Sequence, residues 1–193
     1  MIKKFFAILL LLSFASITPV WAENPTQAQI NEALLQLPSV RWIPGNPLYF
    51  AVIVKEKINW LIKPSPVKKA QFDLTTSGKR LKEAFLLAQK KDFGRSKNSL
   101  SVYRETLEKM SGEVEKAKKQ GQEAGKLLND IQNSFLAQKI VLSQLYATEN
   151  AKNQMSQEIL DSQKSLTKSA EELGKFRPDI FVPFKEASKD ANF

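Results

Sequence analysis

Apolar residues recur at intervals of three and four along most of the chain, and no stretch alternates apolar and polar residues as a strand does. These helical stripes begin near Ile30 and continue to Leu173, with prolines, glycines and the segment 148–150 between them. Successive stripes are out of phase, which argues against one long coiled coil. The pattern predicts an all-α fold, a bundle of four to five helices with short connections and no sheet.

The breaks between the stripes divide the chain into four parts. We predict a signal peptide at 1–22, an N-terminal helix and turn at 23–46, a helical bundle at 47–174 and an apolar C-terminal tail at 175–193. Helix starts are expected at N-cap residues, whose side chains accept hydrogen bonds from the first free backbone amides. The candidates are Asn24, Asn46, Ser65, Ser96 or Asn98, and Asn150. A further break is expected near Gly121.

The first 22 residues have the organisation of a secretory signal peptide. Lys3-Lys4 precedes the apolar run Phe5–Ile17, and the small residues Val20 and Ala22 place the expected cleavage site before Glu23. An uncleaved membrane anchor is the alternative, although the apolar run is shorter than the roughly 20 residues that a bilayer span needs. The chain is therefore expected to be exported, as a periplasmic, cell-surface or secreted protein.

The composition narrows the possible functions. The 193 residues contain no histidine and no cysteine, which excludes disulfides, thiolate nucleophiles, histidine-based triads and Cys/His zinc sites. No acidic loop has the spacing of a calcium-binding hand, and no glycine-rich run precedes Lys-Ser or Lys-Thr. We therefore expect neither an enzyme nor a metal site or cofactor.

The segment from Pro47 to Ile62 is apolar nearly all round the helix. Its polar residues are Lys55, Glu56, Lys57 and Asn59. A helix of this kind is normally buried on more than one side, or it touches a membrane. Four aromatic residues lie in or near it, and they form either part of the core or a groove for a peptide or lipid. They are Trp42, Tyr49, Phe50 and Trp60.

Four motifs follow one another in the first half of the chain. They are Trp42-Ile43-Pro44-Gly45-Asn46-Pro47-Leu48-Tyr49-Phe50, Lys55-Glu56-Lys57, Pro66-Val67-Lys68-Lys69-Ala70 and Lys79-Arg80-Leu81-Lys82-Glu83-Ala84. Their order resembles a bacterial family of extracytoplasmic helical domains catalogued as a domain of unknown function. The resemblance runs from Ile43 to Leu166 and weakens after Gly94. It departs at Ala51 and in the Phe-rich tail.

The resemblance implies a secreted or membrane-tethered helical bundle, and it implies no reaction. Glu56 and Arg80 stand at matching positions of the family. We predict that they form an ion pair between two helices, because a buried Glu without a partner would be costly. The alternative is that Glu56 reaches solvent at the edge of the bundle.

Lysine and arginine exceed the acidic residues by 29 to 20, which makes the net charge +9. The excess is concentrated in residues 63–97, where seven residues form a candidate anion-binding face. They are Lys68, Lys69, Lys79, Lys82, Lys90, Lys91 and Arg95. Lys-rich surfaces suit diffuse attraction to anions. The candidate partners are an anionic envelope polymer, lipid headgroups or another envelope protein, and not nucleic acid; a merely solubilising surface is the alternative.

The apolar tail is either disordered beyond Pro183 or ordered, and an ordered tail has two interpretations. It folds back onto the bundle, or it docks onto a partner through four side chains. They are Phe176, Ile180, Phe181 and Phe184. The composition and the resemblance together favour an exported, non-enzymatic module with a structural or interaction role in the cell envelope. The alternative is an extracytoplasmic sensor or chaperone-like module that binds apolar segments of partner proteins.

Overall fold

A computed structural model describes residues 24–181 of the chain. This part holds six helices, which contain 78% of its residues, and it has no strand. The helices are α1 (Gln27–Gln36), α2 (Tyr49–Leu61), α3 (Pro66–Gln89), α4 (Phe93–Lys119), α5 (Gly125–Ala147) and α6 (Glu149–Gly174). The all-α prediction is confirmed, and the predicted count of four to five helices is slightly low. The predicted signal peptide (1–22) and Phe184 lie outside the described residues.

The helix count is higher because α1 is part of the bundle. It packs against α5 and buries Ile30, Ala33 and Leu37. Its C-terminal end is held by Lys82 of α3, whose Nζ donates hydrogen bonds to the carbonyl oxygens of Leu34, at 2.6 Å, and Leu37, at 3.4 Å. A cation at this end of a helix is stabilising, because the last carbonyl oxygens carry partial negative charge.

The N-caps of α1 and α3 differ in their agreement with the sequence prediction. Ser65 caps α3, as predicted, and Pro66 occupies the first turn of that helix. The predicted cap Asn24 is replaced by Thr26. Thr26 and Gln29 bond reciprocally, since each side chain accepts from the other residue's backbone amide. Such a capping box satisfies two free amides rather than one.

The sequence prediction of the N-cap of α4 is also wrong. Asp92 is the N-cap, and its side chain accepts a hydrogen bond from the backbone amide of Arg95 at 3.2 Å. The expected cap Ser96 lies inside the first turn instead. Its buried Oγ donates to the carbonyl oxygen of Ala84 at 2.8 Å and so joins α4 to α3. The small side chain at Ala84 permits this close approach.

Residues with positive φ follow α3 and α4. Lys91 (φ +60°) comes after α3, and Gly121 (φ +67°) comes after α4, where the sequence predicts a break. A left-handed residue commonly stops a helix, and glycine adopts this conformation without a steric penalty. Thr148 separates α5 from α6, so the expected cap Asn150 is already part of α6.

One hydrophobic core connects α1, α3, α4, α5 and α6. The largest side chains that are fully buried come from α3, α4, α5 and the tail. They are Leu81, Leu87, Leu100, Tyr103, Leu107, Met110, Leu128, Ile131, Phe135, Leu142 and Phe181. The Tyr103 hydroxyl donates to Gln138 Oε1 at 2.9 Å, and burial raises the pKa of Tyr103 well above its ordinary value. Between residues 24 and 181, every helix is too short or too polar to cross a bilayer.

The described part of the tail, residues 175–181, folds back onto the bundle. Phe181 is fully buried, and its ring meets that of Phe135 edge to face with the centroids 6.4 Å apart. Phe176 and Ile180 are partly buried against the same core. Phe181, inside the core, is therefore not available to a partner, whereas Phe176 and Ile180 keep part of their surface accessible.

Gly78 of α3 allows the chain that follows α1 to approach closely. A Cβ atom at position 78 would lie 2.8 Å from Cδ of Pro38, below any normal contact distance. The ring of Pro38 is rigid, so this segment would have to move away from α3. Gly112 of α4 is also in a helix, but a Cβ atom there would meet nothing within 4 Å.

We expect Gly78→Ala to destabilise the protein by about 1–2 kcal/mol, because the overpacking at Pro38 outweighs the better helix propensity of alanine. Gly112→Ala is the matched control and should stabilise it by about 0.5–1 kcal/mol. Urea denaturation followed by circular dichroism measures both changes. Equal effects of the two substitutions would show that Pro38 does not press on α3.

Candidate functional site

Helix α2 has an inverted distribution of polar and apolar residues. Its one buried residue is Glu56, whereas Phe50 is 75% exposed and Leu61 is 71% exposed. Tyr49 and Trp60 are half-buried on the inner side. A helix at the surface of a globular protein normally turns its apolar stripe inward. Polar contacts must therefore supply much of what holds α2 in place.

Those contacts form a buried charge cluster between α2 and α3. Arg80 Nη2 bonds to Glu56 Oε2, and Arg80 Nη1 bonds to Glu83 Oε1 at 2.5 Å and to the Tyr49 hydroxyl oxygen at 2.8 Å. The Tyr49 hydroxyl donates to Glu83 Oε2 at 2.8 Å. Lys79 Nζ lies 3.3 Å from Glu56 Oε1 at the outer edge. We call these five residues the charge cluster.

The cluster pairs two carboxylates with two cations. Burial raises the pKa of Glu83, although the neighbouring charge and hydrogen bond of Arg80 oppose this. Burial alone would lower the pKa of Arg80, but the carboxylates of Glu83 and Glu56 outweigh it and raise that pKa. Burial and the charge of Glu83 likewise raise the pKa of Tyr49. Arg80 therefore stays charged and Tyr49 stays a hydrogen-bond donor.

Sequence spacing explains why these side chains meet. Tyr49 and Glu56 stand seven residues apart, two turns along one face of α2. Arg80 and Glu83 stand three apart on one face of α3. The structure brings Glu56 and Arg80 into contact, the arrangement expected from the resemblance. Sequence reasoning missed Tyr49 and Glu83, and the three-residue spacing from Arg80 to Glu83 was the available signal.

A second polar contact holds the other end of α2. Trp60 Nε1 donates to Asp73 Oδ2 of α3 at 3.2 Å, and the ammonium group of Lys69 lies 4.3 Å from the centroid of the Trp60 ring. Asp73 is only 4% exposed, and its burial raises its pKa to about 6. Two of the predicted aromatic cluster, Tyr49 and Trp60, thus anchor α2 through polar atoms.

The predicted anion-binding face is smaller than expected. Four of its seven members are engaged within the molecule: Lys79 with Glu56, Lys82 with the end of α1, Arg95 with Asp92 at 2.6 Å, and Lys69 with Trp60. Lys82 also has its pKa lowered by burial. The other three are exposed. They are Lys68, Lys90 and Lys91.

The remaining three do not form one patch. Lys68 and Lys90 lie 22 positions apart along α3 and the residue that follows it. At 1.5 Å per residue this separation is about 33 Å, about four Debye lengths at physiological salt. The free charges of the predicted positive face therefore lie at the two ends of α3, because helix geometry separates them.

Two of the open clefts in the described part of the chain differ in their lining. The larger, of about 690 Å³, lies between α4 and α6 and contains exposed side chains of both signs, among them Glu105 and Lys168. The smaller, of about 350 Å³, lies between α2, α3 and the segment 39–42. Trp42, Val52 and Phe72 line it beside the carboxylate of Glu56. Within residues 24–181, three or more acidic side chains nowhere converge as metal ligands would.

Residues 41–179 match a family described as "Domain of unknown function (DUF5667)". The chain belongs to this family. The DUF5667 match begins just before α2 and ends just before Phe181, so it includes the charge cluster and leaves out α1. No curated protein and no solved structure matches the chain.

We expect Arg80→Leu to destabilise the DUF5667 domain by about 3–5 kcal/mol, because it leaves two buried carboxylates without their main counter-ion. Lys79→Leu, the matched control one residue away, removes a partly exposed charge and should cost less than about 1 kcal/mol. Replacing Glu56, Arg80 and Glu83 together by Leu should cost less than Arg80→Leu alone. Urea denaturation measures all three variants, and similar losses for Arg80→Leu and Lys79→Leu would contradict the assignment.

The raised pKa of Asp73 predicts that the free energy of unfolding depends on pH. Its pKa is higher in the folded state, about 6, than in the unfolded chain, so Asp73 makes a contribution to stability that is lost as the pH rises from about 4 to about 6. Asp73→Asn keeps an oxygen for Trp60 without the charge. It should match the wild type near pH 4 and be more stable by about 1–3 kcal/mol above pH 6.5.

Denaturation between pH 4 and 7.5 tests this difference. Asp179→Asn is a control of opposite sign, because the hydrogen bond from Arg177 lowers the pKa of Asp179. That variant should lose stability relative to the wild type as the pH rises. A difference between Asp73→Asn and the wild type that does not change with pH would exclude a raised pKa at Asp73.

Proposed function

We propose that this DUF5667 protein is an exported, non-catalytic interaction module of the bacterial cell envelope, and that α2 is its docking element. The observation that carries the proposal is the orientation of α2. The helix turns its charged residue Glu56 inward and displays Phe50, Ile58 and Leu61 to solvent, each at least half exposed. Exposed apolar surface of this kind commonly marks an interaction site.

The exposed apolar side chains are concentrated on this element. Eight large apolar residues are exposed among residues 24–181, and six of them lie between positions 48 and 62. The other two, Leu35 and Val102, are isolated on α1 and α4. Scattered single residues need no explanation, but six on one short segment form a patch.

Export is supported by the sequence alone. The basic start, the apolar run and the small residues before Glu23 have the order of a signal peptide. The absence of cysteine leaves stability to packing and to contacts such as the charge cluster. Neither the signal-peptide pattern nor the absence of cysteine identifies a partner. The proposed function therefore rests on the exposed apolar residues of α2.

The alternative is a sensor or chaperone-like module that binds apolar segments of other proteins. One observation favours it: the cleft of about 350 Å³ beside α2 has Trp42, Val52 and Phe72 in its lining. An apolar side chain from a partner fits a cleft of this chemistry. Binding that depends on this cleft rather than on the outer face of α2 would support the alternative.

Co-sedimentation of residues 23–193 with isolated cell envelopes tests the proposal. Every described core residue lies between Ile30 and Phe181, so this chain keeps all the described packing contacts. Replacing both Phe50 and Ile58 by Ser should weaken binding at least about tenfold, because two apolar side chains no longer leave water. The matched control is Leu35→Ser, an equally exposed apolar position on α1, and it should bind as the wild type does.

Two results would overturn the proposal. One is the absence of binding to envelopes at any salt concentration. The other is equal binding by the Phe50/Ile58 double variant and the wild type, since α2 would then not be the docking element. Loss of binding only on changing Trp42 would assign recognition to the cleft and favour the alternative.

A further inference from the structure

The outer face of α2 is organised as an apolar arc between two lysines. With 100° per residue, Lys57 and Lys55 stand about 160° apart, and every position between them on this side is apolar. The arc contains Phe50, Ala51, Val54, Ile58, Leu61 and Ile62. All six are exposed, and both lysines are exposed beside them.

The charge around this face has one sign. Between Arg41 and Phe72 the sequence contains six basic residues and a single acidic one, Glu56. That carboxylate faces inward, where Arg80 and Lys79 pair with it. Asp73, just beyond this segment, is buried against Trp60, so the exposed charges of the segment are all basic.

An apolar face with basic edges favours some classes of partner for α2 over others. A second copy would bring two basic rims together, which is unfavourable at short range. Recognition of an amphipathic peptide helix commonly uses a concave hydrophobic groove, whereas the arc lies on the convex side of a single helix. A lipid surface accepts a convex apolar helix face, and lysines at the edge of the arc extend their ammonium groups to the headgroups.

We propose that α2 binds peripherally to an anionic lipid bilayer, with the arc around Phe50, Val54 and Ile58 inserted at the headgroup level. Lys55 and Lys57 contact the anionic headgroups from the two edges of the arc. The inference rests on the proposed function and specifies the partner of the same element.

The charge cluster prepares α2 for this role. Membrane-binding helices often fold only on the lipid surface, and folding then reduces their net affinity. Here the Arg80–Tyr49 and Trp60–Asp73 hydrogen bonds hold the two ends of the helix against α3 before any contact with lipid. The apolar arc is therefore presented on a helix that is already formed before it meets lipid.

A polarity-sensitive dye on a single cysteine reports insertion directly, because the chain has no cysteine of its own. Residues 23–193 carrying Ile58→Cys are mixed with vesicles of phosphatidylcholine, alone or with about one third phosphatidylglycerol. The labelled chain should show a blue shift with the anionic vesicles and little shift with the neutral ones. The control, Leu35→Cys with the same dye, should show no shift with either.

Sedimentation of the unlabelled chain with the same vesicles measures the charge contribution. Replacing Lys55 and Lys57 by Gln should weaken binding about fivefold for each lysine removed. Replacing Lys126 and Lys164 by Gln is the matched control. These exposed lysines lie on α5 and α6, so the variant has the same net charge and should bind as the wild type does.

The outcomes separate this inference from the proposed function. Binding to isolated envelopes without binding to any vesicle would overturn lipid recognition and leave α2 with a protein or polymer partner. Equal binding to neutral and anionic vesicles would overturn the role of the lysines. A blue shift that grows with protein concentration in the absence of vesicles would assign the face to a second copy, and failure with both envelopes and vesicles would end both proposals.

Discussion

The pairing of Arg80 with two glutamates determines how the outer part of this molecule is arranged. Arg80 is 2% exposed, and Glu83 on its own helix and Glu56 on α2 both bond to its guanidinium group. An arginine in that position keeps its charge, so two carboxylates must face it. Glu56 therefore points inward, and the rest of α2 takes its rotation from this one residue.

The rotation has a direct consequence for the surface. On a helix that is apolar nearly all round, turning one charged residue inward leaves the opposite apolar side chains outside. Lys55 and Lys57 flank Glu56 in sequence and so fall on the two edges of that exposed side. An intramolecular ion pair thus creates an apolar arc with a basic rim, without any residue of the arc taking part in the cluster.

Much of the fold follows from local sequence. The helical spacing of apolar residues specifies the class, Ser65 caps α3, and the break near Gly121 coincides with a left-handed glycine. The sequence predicts the wrong N-caps for α1 and α4, where Thr26 and Asp92 form the caps. Several nearby polar residues satisfy the same local preference. Which of these polar residues bonds to the free backbone amides depends on the residue at which the helix begins.

The contacts between helices required the tertiary structure. The sequence by itself determined the helices, their approximate limits and the isolation of Glu56 in an apolar segment, because these depend on neighbours within one or two turns. Which lysines remain free, where Phe181 packs and which side of α2 faces water depend on residues tens of positions away. Many arrangements of buried side chains and charges have similar energies when each is considered locally. Which one forms depends on the whole folded bundle.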